Sequence, residues 1–542
     1  VSVPAEGQDD PDALEPILPL DDVQGNILPG FNKRHQRVVG FRVVDVPAAK
    51  RWFACAAPEI TTATEVQRFK DLRRALRARR GAAPTGLASV WMAIAFSAPS
   101  LRRLVSDADV ELFEDEAFHV GLHARASTLG DPDAGSGIPG SPDLWEFGGT
   151  ETTTADVLLI LAADRQDMLQ FHLRRVRGSI AAAGDGLELM FEQHGADLEG
   201  PLRGHEHFGF RDGISQPGVR GRLPWDSEAF LTPRVLAPED PDLGAFARPG
   251  QPLVRAGQFL FGYATQDRFV PEAPARVRDA PPWARNGSFL VFRRLEQDVA
   301  AFRAFVASAA SDLDTHTDLA GLTKQHLAAL LVGRWPSGAP LMRTPAGDDT
   351  LLADGIPANA FRFDGAEPVH AFLPGHEDPF PPAPADNTGV RCPIWAHVRK
   401  VNPRDITTEQ GSDTDTLARR LLRRGIPFGA EFDAEGAAGP RGLLYLSYQT
   451  SITDQFEFLA SSWMNTQSKP QHDDGDGHDV LVGQNRAAGE GRVRRATLPT
   501  VGQGGATTHS FSTGTGPPWI FATGGGYFFA PSPSALTDVI AA

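Results

Sequence analysis

An apolar strand that runs straight into an amphipathic helix recurs along this chain, and that alternation limits the folds open to it. Residues 38–44 (VVGFRVV) lead into a helical stretch at 48–57, and 89–96 (SVWMAIAF) into a short helix at 101–105. Residues 156–163 (DVLLILAA) lead into 165–183, where Leu169, Leu173, Val176 and Ile180 share one helical face. A returning strand follows at 187–192. The theme reappears at 288–292 (SFLVF) before 296–310, and at 443–448 (LLYLSY) before 454–464. Strands and helices in this order, with hairpin-like returns, predict an α+β protein of antiparallel sheets covered by helices. The recurrence in both halves predicts two similar domains.

The rest of the chain is organised around these elements. A length of 542 residues gives a prior of about three domains, or two large ones. The first 18 residues are acidic and are expected to form a disordered arm. The expected division is 19–220 and 221–542, the second part enlarged by long loops at 236–252, 271–285 and 374–388. No run of 18 or more apolar residues predicts a membrane span. The formal charge of −16 makes nucleic acid or anionic lipid a poor partner for the overall field. Cytoplasmic location is the favoured expectation, and export behind a removed leader stays open.

Cysteine usage restricts the chemistry further. Only Cys55 and Cys392 are present, without a C-x-x-C-H. That excludes a disulfide framework, an all-cysteine metal or iron–sulfur site and covalent c-type haem. A redox centre must then be anchored by histidine or carboxylate.

Four segments carry candidate chemistry. In H-E-H-F-G-F-R-D-G-I-S-Q-P (205–217), Asp212-Gly213 reads as a turn pair. The alternative is that Gly209 and Gly213 let the backbone approach a flat ligand while Asp212 acts as an acid/base. His205 and His207 also raise a non-haem metal reading, although no third ligand is near in sequence. In C-P-I-W-A-H-V-R-K-V-N-P-R (392–404), a short helix between prolines puts His397 on a face with Ile394 and Val401. It is either a satisfied core histidine or a ligand. In R-R-L-L-R-R-G-I-P-F-G (419–429), a helix is expected to end at Gly425, with one arginine turned inward or all solvated. G-R-W-P-S-G-A-P (333–340) begins a turn at Arg334. QHDDGDGHD (471–479) departs from an EF-hand and reads as a solvated acidic loop, with a surface Mn²⁺ or Ca²⁺ site as the minority view.

Together GFRDGISQP, GRWPSGAP, AHVRKVNPR, RRGIPFG and GGGYFFAPS resemble, in order, the dye-decolorizing peroxidases. The opening DDVQGNILPGF resembles the start of that family's longer branch, and the resemblance runs from about Asp22 to Leu536. It implies two ferredoxin-like domains with a non-covalent haem b in the C-terminal one, near the interface. It implies that His397 is the proximal iron ligand and that Asp212 and Arg423 are the distal catalytic pair. Arg423 is chosen over Arg424 because it takes the first arginine position of the family's motif. Leu443 and Tyr445 alternate on one strand face and are the candidate distal apolar residues. The family often has Phe where Tyr445 stands.

The resemblance also makes a carboxylate partner for His397 an expectation, with Asp454 and Glu457 as candidates. Arg334 and Arg399 are candidate partners of the haem propionates, or ordinary salt-bridge residues. The implied activity is reduction of hydrogen peroxide with one-electron oxidation of bulky dyes, phenols or other aromatics. Electrons from large donors are implied to pass through surface Trp or Tyr. A homo-oligomer stays open. The competing reading is a haem-binding protein for carriage, sensing or processing.

Overall fold

The computed structural model describes residues 15–542 except 83, 85, 233–245, 249, 271–272, 354, 366–371, 374–375, 378–379, 434–437, 472–476, 486–490 and 503–504. Most of the expected arm and parts of the three long loops and the acidic 471–479 loop lie outside the described residues. The described end of the arm is ordered. Glu15 pairs with Arg220 at 3.0 Å, Ile17 bridges to Arg222 and Leu18 is buried.

The first half is a βαββαβ unit. Strand β1 (His35–Val43) enters helix α1 (Val46–Ala56), capped by Asp45. Strands β2 (Val90–Phe96) and β3 (Val157–Ala163) follow, then α2 (Gln166–Ala182) and β4 (Leu187–Ala196). The second half repeats the plan with larger excursions. Strand β5 (Ser288–Gln297) enters α3 (Val299–Leu313), and α4 (Lys324–Val332) follows. After α5 (His397–Lys400) come β6 (Leu422–Arg423), β7 (Ile426–Phe428), β8 (Gly442–Gln449) and β9 (Ile520–Ala530).

The strands are ordered β6-β8-β5-β9-β2-β3-β1-β4, with β7 also on β8, and every pairing is antiparallel. Each half has the strand order of a ferredoxin-like unit. The halves join where Phe96 of β2 faces Phe529 of β9. At the other end, β7 lies against β4, and a side chain on Gly195 would collide with Ile426.

Alternation assigns the two faces. Along β3, Val157, Leu159 and Leu161 join a core with the covering helices, while Leu158 and Ile160 enter a second core. That second core also takes Leu290, Phe292, Leu444, Leu446 and Phe528, so both halves build it. This two-sided burial is why 157–163 is an unbroken apolar run. The stripe Leu169, Leu173, Val176 and Ile180 is buried on α2 as the spacing predicts.

One expectation fails locally, and a second is met in altered form. The expected helix over 419–425 is instead a short helix, Asp415–Ala418, followed by β6 and β7 pairing with β8. Ladder bonds to β8 and inward-facing arginines override the helical spacing. The expected helix over 454–464 forms as two segments, Ile452–Glu457 and Leu459–Met464, with turns wider than those of an α-helix.

Candidate active site

A cavity of about 330 Å³ lies beside the second half's sheet. One wall is α5. Gly333 ends α4 with φ +93°, and a Cβ there would lie 2.4 Å from Val398 and 3.3 Å from the Cys392 sulfur. This glycine therefore permits both the reversal and the close approach of α5. Lys400 and Arg399 anchor α5 from behind. Lys400 Nζ donates to the Gly477 carbonyl at 2.5 Å, and Arg399 is fully buried against Asp386 at 3.1 Å and the Cys392 carbonyl at 2.7 Å.

His397 faces the cavity from this wall. Its Nδ1 lies 2.7 Å from Asp479 Oδ2, and the other oxygen of Asp479 accepts from the amides of Leu481 (3.1 Å) and Val482 (3.0 Å). A carboxylate in that setting accepts, so Nδ1 carries the proton and Nε2 keeps its lone pair. The expected partners Asp454 and Glu457 are both wrong. Asp454 pairs with Arg278 at 3.0 Å, and buried Glu457 binds Arg125 at 2.6 Å and the Tyr527 hydroxyl at 3.0 Å. Arginines satisfy both carboxylates, and the histidine's partner comes from the acidic run read as a solvated loop.

The facing wall begins with a hairpin over 204–212. His205 bridges to Arg211, and the Asp212 amide donates to the Gly204 carbonyl at 3.1 Å. Asp212 leaves its base toward Arg423, with 3.5 Å between Oδ1 and Nη1. The Arg423 guanidinium also donates to the Ser215 carbonyl at 2.8 Å, and Gln216 brackets its backbone. Of the adjacent arginines, Arg423 lines the cavity, whereas Arg424 donates to the carbonyls of Asn26 and Ile27. Leu443 and Tyr445 of β8 also line the cavity, and burial pushes the Tyr445 phenol up.

Gly209 and Gly213 both have positive φ, +97° and +75°, and the space beside each is open: a Cβ on either would meet no protein atom within 4 Å. Their freedom shapes the hairpin, and only Gly213 lines the cavity. Arg399 is absent from the cavity lining because Asp386 and two carbonyls hold it inside the wall. His205 and His207 do not form a pair. His207 donates from Nε2 to the Phe428 carbonyl at 2.8 Å, and His205 turns to the Arg203 carbonyl. Among the described residues no three metal-ligating side chains converge.

One stretch of the lining is strongly basic. Arg334 donates to the carbonyls of Gly338 and Ala358 and to the Asn359 side chain. Arg404 donates to the carbonyls of Asn359 and Phe361. Burial and neighbouring guanidinium groups push Arg334 and Arg420 down to about 9. Sequence reasoning missed Arg404 and Arg420, together with Asp479. Arg404 lies just past the proline that ends a short helix, Arg420 in an expected helix end and Asp479 in an expected acidic loop, settings where charged side chains are ordinarily solvated.

A family model for the DyP dimeric alpha+beta barrel domain matches residues 22–188. The chain is 31% identical to the dye-decolorizing peroxidase msp1 of Mycetinis scorodonius, over 96% of this chain and 88% of that protein. It is 30% identical to a dye-decolorizing peroxidase of Mycena epipterygia, over 98% and 89%. The chain belongs to the dye-decolorizing peroxidase family. Among solved structures, an ancestral D-type dye-decolorizing peroxidase is 33% identical, with a TM-score of 0.74 over 97% of this chain and 100% of that one. A dye-decolorizing peroxidase in complex with 2,6-dimethoxyphenol is 28% identical, with a TM-score of 0.69 over the same shares.

Dye-decolorizing peroxidases are haem enzymes, and membership makes this chain a peroxide-dependent oxidoreductase rather than a haem carrier. The cavity suits a haem. It offers one imidazole with a free lone pair, an apolar lining and buried guanidinium groups held mainly by neutral oxygens. Such cations are stabilised by carboxylates, which the porphyrin's propionates supply.

Proposed function

We propose that the cavity holds a non-covalent haem b, with His397 Nε2 as its iron ligand. In this reading the haem belongs to the second part, 221–542, and the hairpin of the first part, 19–220, brings Asp212 over it. The observation that carries the reading is that the Asp479-oriented His397 and the Asp212–Arg423 pair line the same cavity. The cysteines support non-covalent binding: both are free, and neither lines the cavity. When bound, the haem supplies an iron that accepts oxidising equivalents from hydrogen peroxide and passes them on singly.

The chain's own residues move the proton. Asp212 Oδ takes it from one peroxide oxygen and returns it to the other, as general base and then acid. Arg423 supplies a fixed cation for the charge that develops on the departing oxygen. The Ser215 carbonyl keeps that guanidinium aimed. Leu443 and Tyr445 would limit the space left beside a bound cofactor, and Arg334 and Arg420 would hold its carboxylates. Phenols, dyes and other aromatics are the proposed donors, in keeping with a relative bound to 2,6-dimethoxyphenol.

An absorption spectrum of haem-supplied protein tests the reading. A Soret band is expected in the native chain, altered by peroxide and lost or displaced in His397→Ala. Haem-supplied native protein without Soret absorbance would overturn it.

A further inference from the structure

Glu206 is a carboxylate in the cavity lining that the proposed chemistry does not use. It stands six positions before Asp212, inside the hairpin that carries it. The hairpin tip closes on itself, with the Gly209 amide donating to the Glu206 carbonyl at 2.9 Å and the Glu206 amide to the Phe210 carbonyl at 3.0 Å. Within that loop one carboxylate oxygen accepts the Phe208 amide at 2.9 Å, and the other accepts the Phe210 amide at 2.9 Å.

The third donor comes from the sheet. Gln297, at the end of β5, donates its side-chain amide to Glu206 Oε2. The same side chain's carbonyl accepts the His207 amide at 3.4 Å. Its orientation is thus set from both ends. All three neighbours of Glu206 donate, an arrangement that favours the ionised carboxylate. Burial works against this and pushes the carboxyl up to about 7, with Asp212 pushing the same way. A carboxylate kept in so unfavourable a setting, with three donors trained on it, has a structural task.

The remaining ties of the hairpin act at other points. The Phe208 ring stacks on Phe302 at 4.3 Å, and His207 is bonded to β7. The Arg211 amide donates to the Pro336 carbonyl and the Asp212 amide to the Gly204 carbonyl, each at 3.1 Å. These hold the base of the hairpin, and none of them fixes its tip between Phe208 and Phe210. We infer that Glu206 is a positioning residue: it couples the Asp212 hairpin to β5 through Gln297 and holds the Asp212 carboxylate at its distance from Arg423. This inference rests on the proposed role of Asp212.

Stopped-flow measurement of the bimolecular peroxide step, beside the KM for an aromatic donor, tests it. Glu206→Gln keeps one acceptor oxygen but turns an NH₂ toward a backbone amide. It is expected to slow the peroxide step about tenfold, and Glu206→Ala about a hundredfold, with the donor's KM unchanged. A cycle with Asp212→Asn separates positioning from general damage. If Glu206 acts through Asp212, Glu206→Gln costs little or nothing further in the Asp212→Asn background. A full, independent tenfold loss there overturns the inference, as does an unchanged rate in Glu206→Gln. Soret intensity and melting temperature identify a variant that has simply failed to fold, and Gln297→Leu then supplies the same test from the β5 side. An unchanged rate in Asp212→Asn alone would instead overturn the proposed role of Asp212.

Discussion

The Asp212 carboxylate lies 3.5 Å from the Arg423 guanidinium, although 211 positions separate them in the chain. In the proposed function the two act on different parts of one event, a proton on one oxygen and charge on the other. Asp212→Asn and Arg423→Ala are each expected to lower the peroxide rate constant by about 10²–10³. Arg423→Lys should recover part of the loss, since it restores charge without the planar fork. Stopped-flow absorbance at the Soret band reads all three, and native rates in both single variants would remove the pair from the mechanism.

Asp479 fixes the tautomer and tilt of His397 through a 2.7 Å bond. Asp479→Asn should weaken haem retention by about 10–100-fold, measured as transfer to an excess of apomyoglobin. Asp454→Asn is the matched control, because that carboxylate binds Arg278 and should leave retention unchanged.

Arginines inside and beside the cavity should separate cleanly. Arg399 and Asp386 are both buried, and Arg399→Ala strands the carboxylate at a cost of about 3–5 kcal/mol. Chemical denaturation should show that loss. Arg334→Ala and Arg420→Ala instead remove guanidinium groups from the lining, so haem affinity should fall more than the apoprotein's stability does.

Thiol reactivity gives a pH test that needs no cofactor. The Cys392 thiol is pushed up to about 12 by burial, so its reactive thiolate is scarce across the pH range 6 to 9. Cys55 is exposed. Iodoacetamide at pH 8 should label one thiol in the folded protein and two after unfolding. Fast labelling of two in the native state would contradict the burial of Cys392.

Much of this was legible because the patterns are local. The run DVLLILAA and the stripe on α2 announce their own burial, and the order of such elements predicts each half's plan. His397, Asp212 and Arg423 stood out through motifs. What was illegible depends on contacts across the chain. Asp479 is one acid in an acidic run, 82 positions from the histidine it serves, and nothing nearby distinguishes it. Arg419 to Arg424 looked like a helix end because arginine is usually solvated there. Pairing with β8 turned that stretch into strand and drove Arg420 and Arg423 inward. Arg399 misled for the opposite reason: its buried partner, Asp386, lies in a proline-rich stretch with no periodicity.

The position of β9 has a consequence for biosynthesis. It is the last strand of the chain, yet it lies at the centre of the sheet and joins the two halves through Phe529 and Phe96. It is synthesised after the eight other strands of that sheet. Until then the first half can complete its own four strands, while the second half waits with β5 unpaired along one edge. Residue 479, which binds the His397 imidazole, also follows most of the sheet in sequence. A chain truncated before Ile520 would leave β5 as an open sheet edge and separate the two halves' strands.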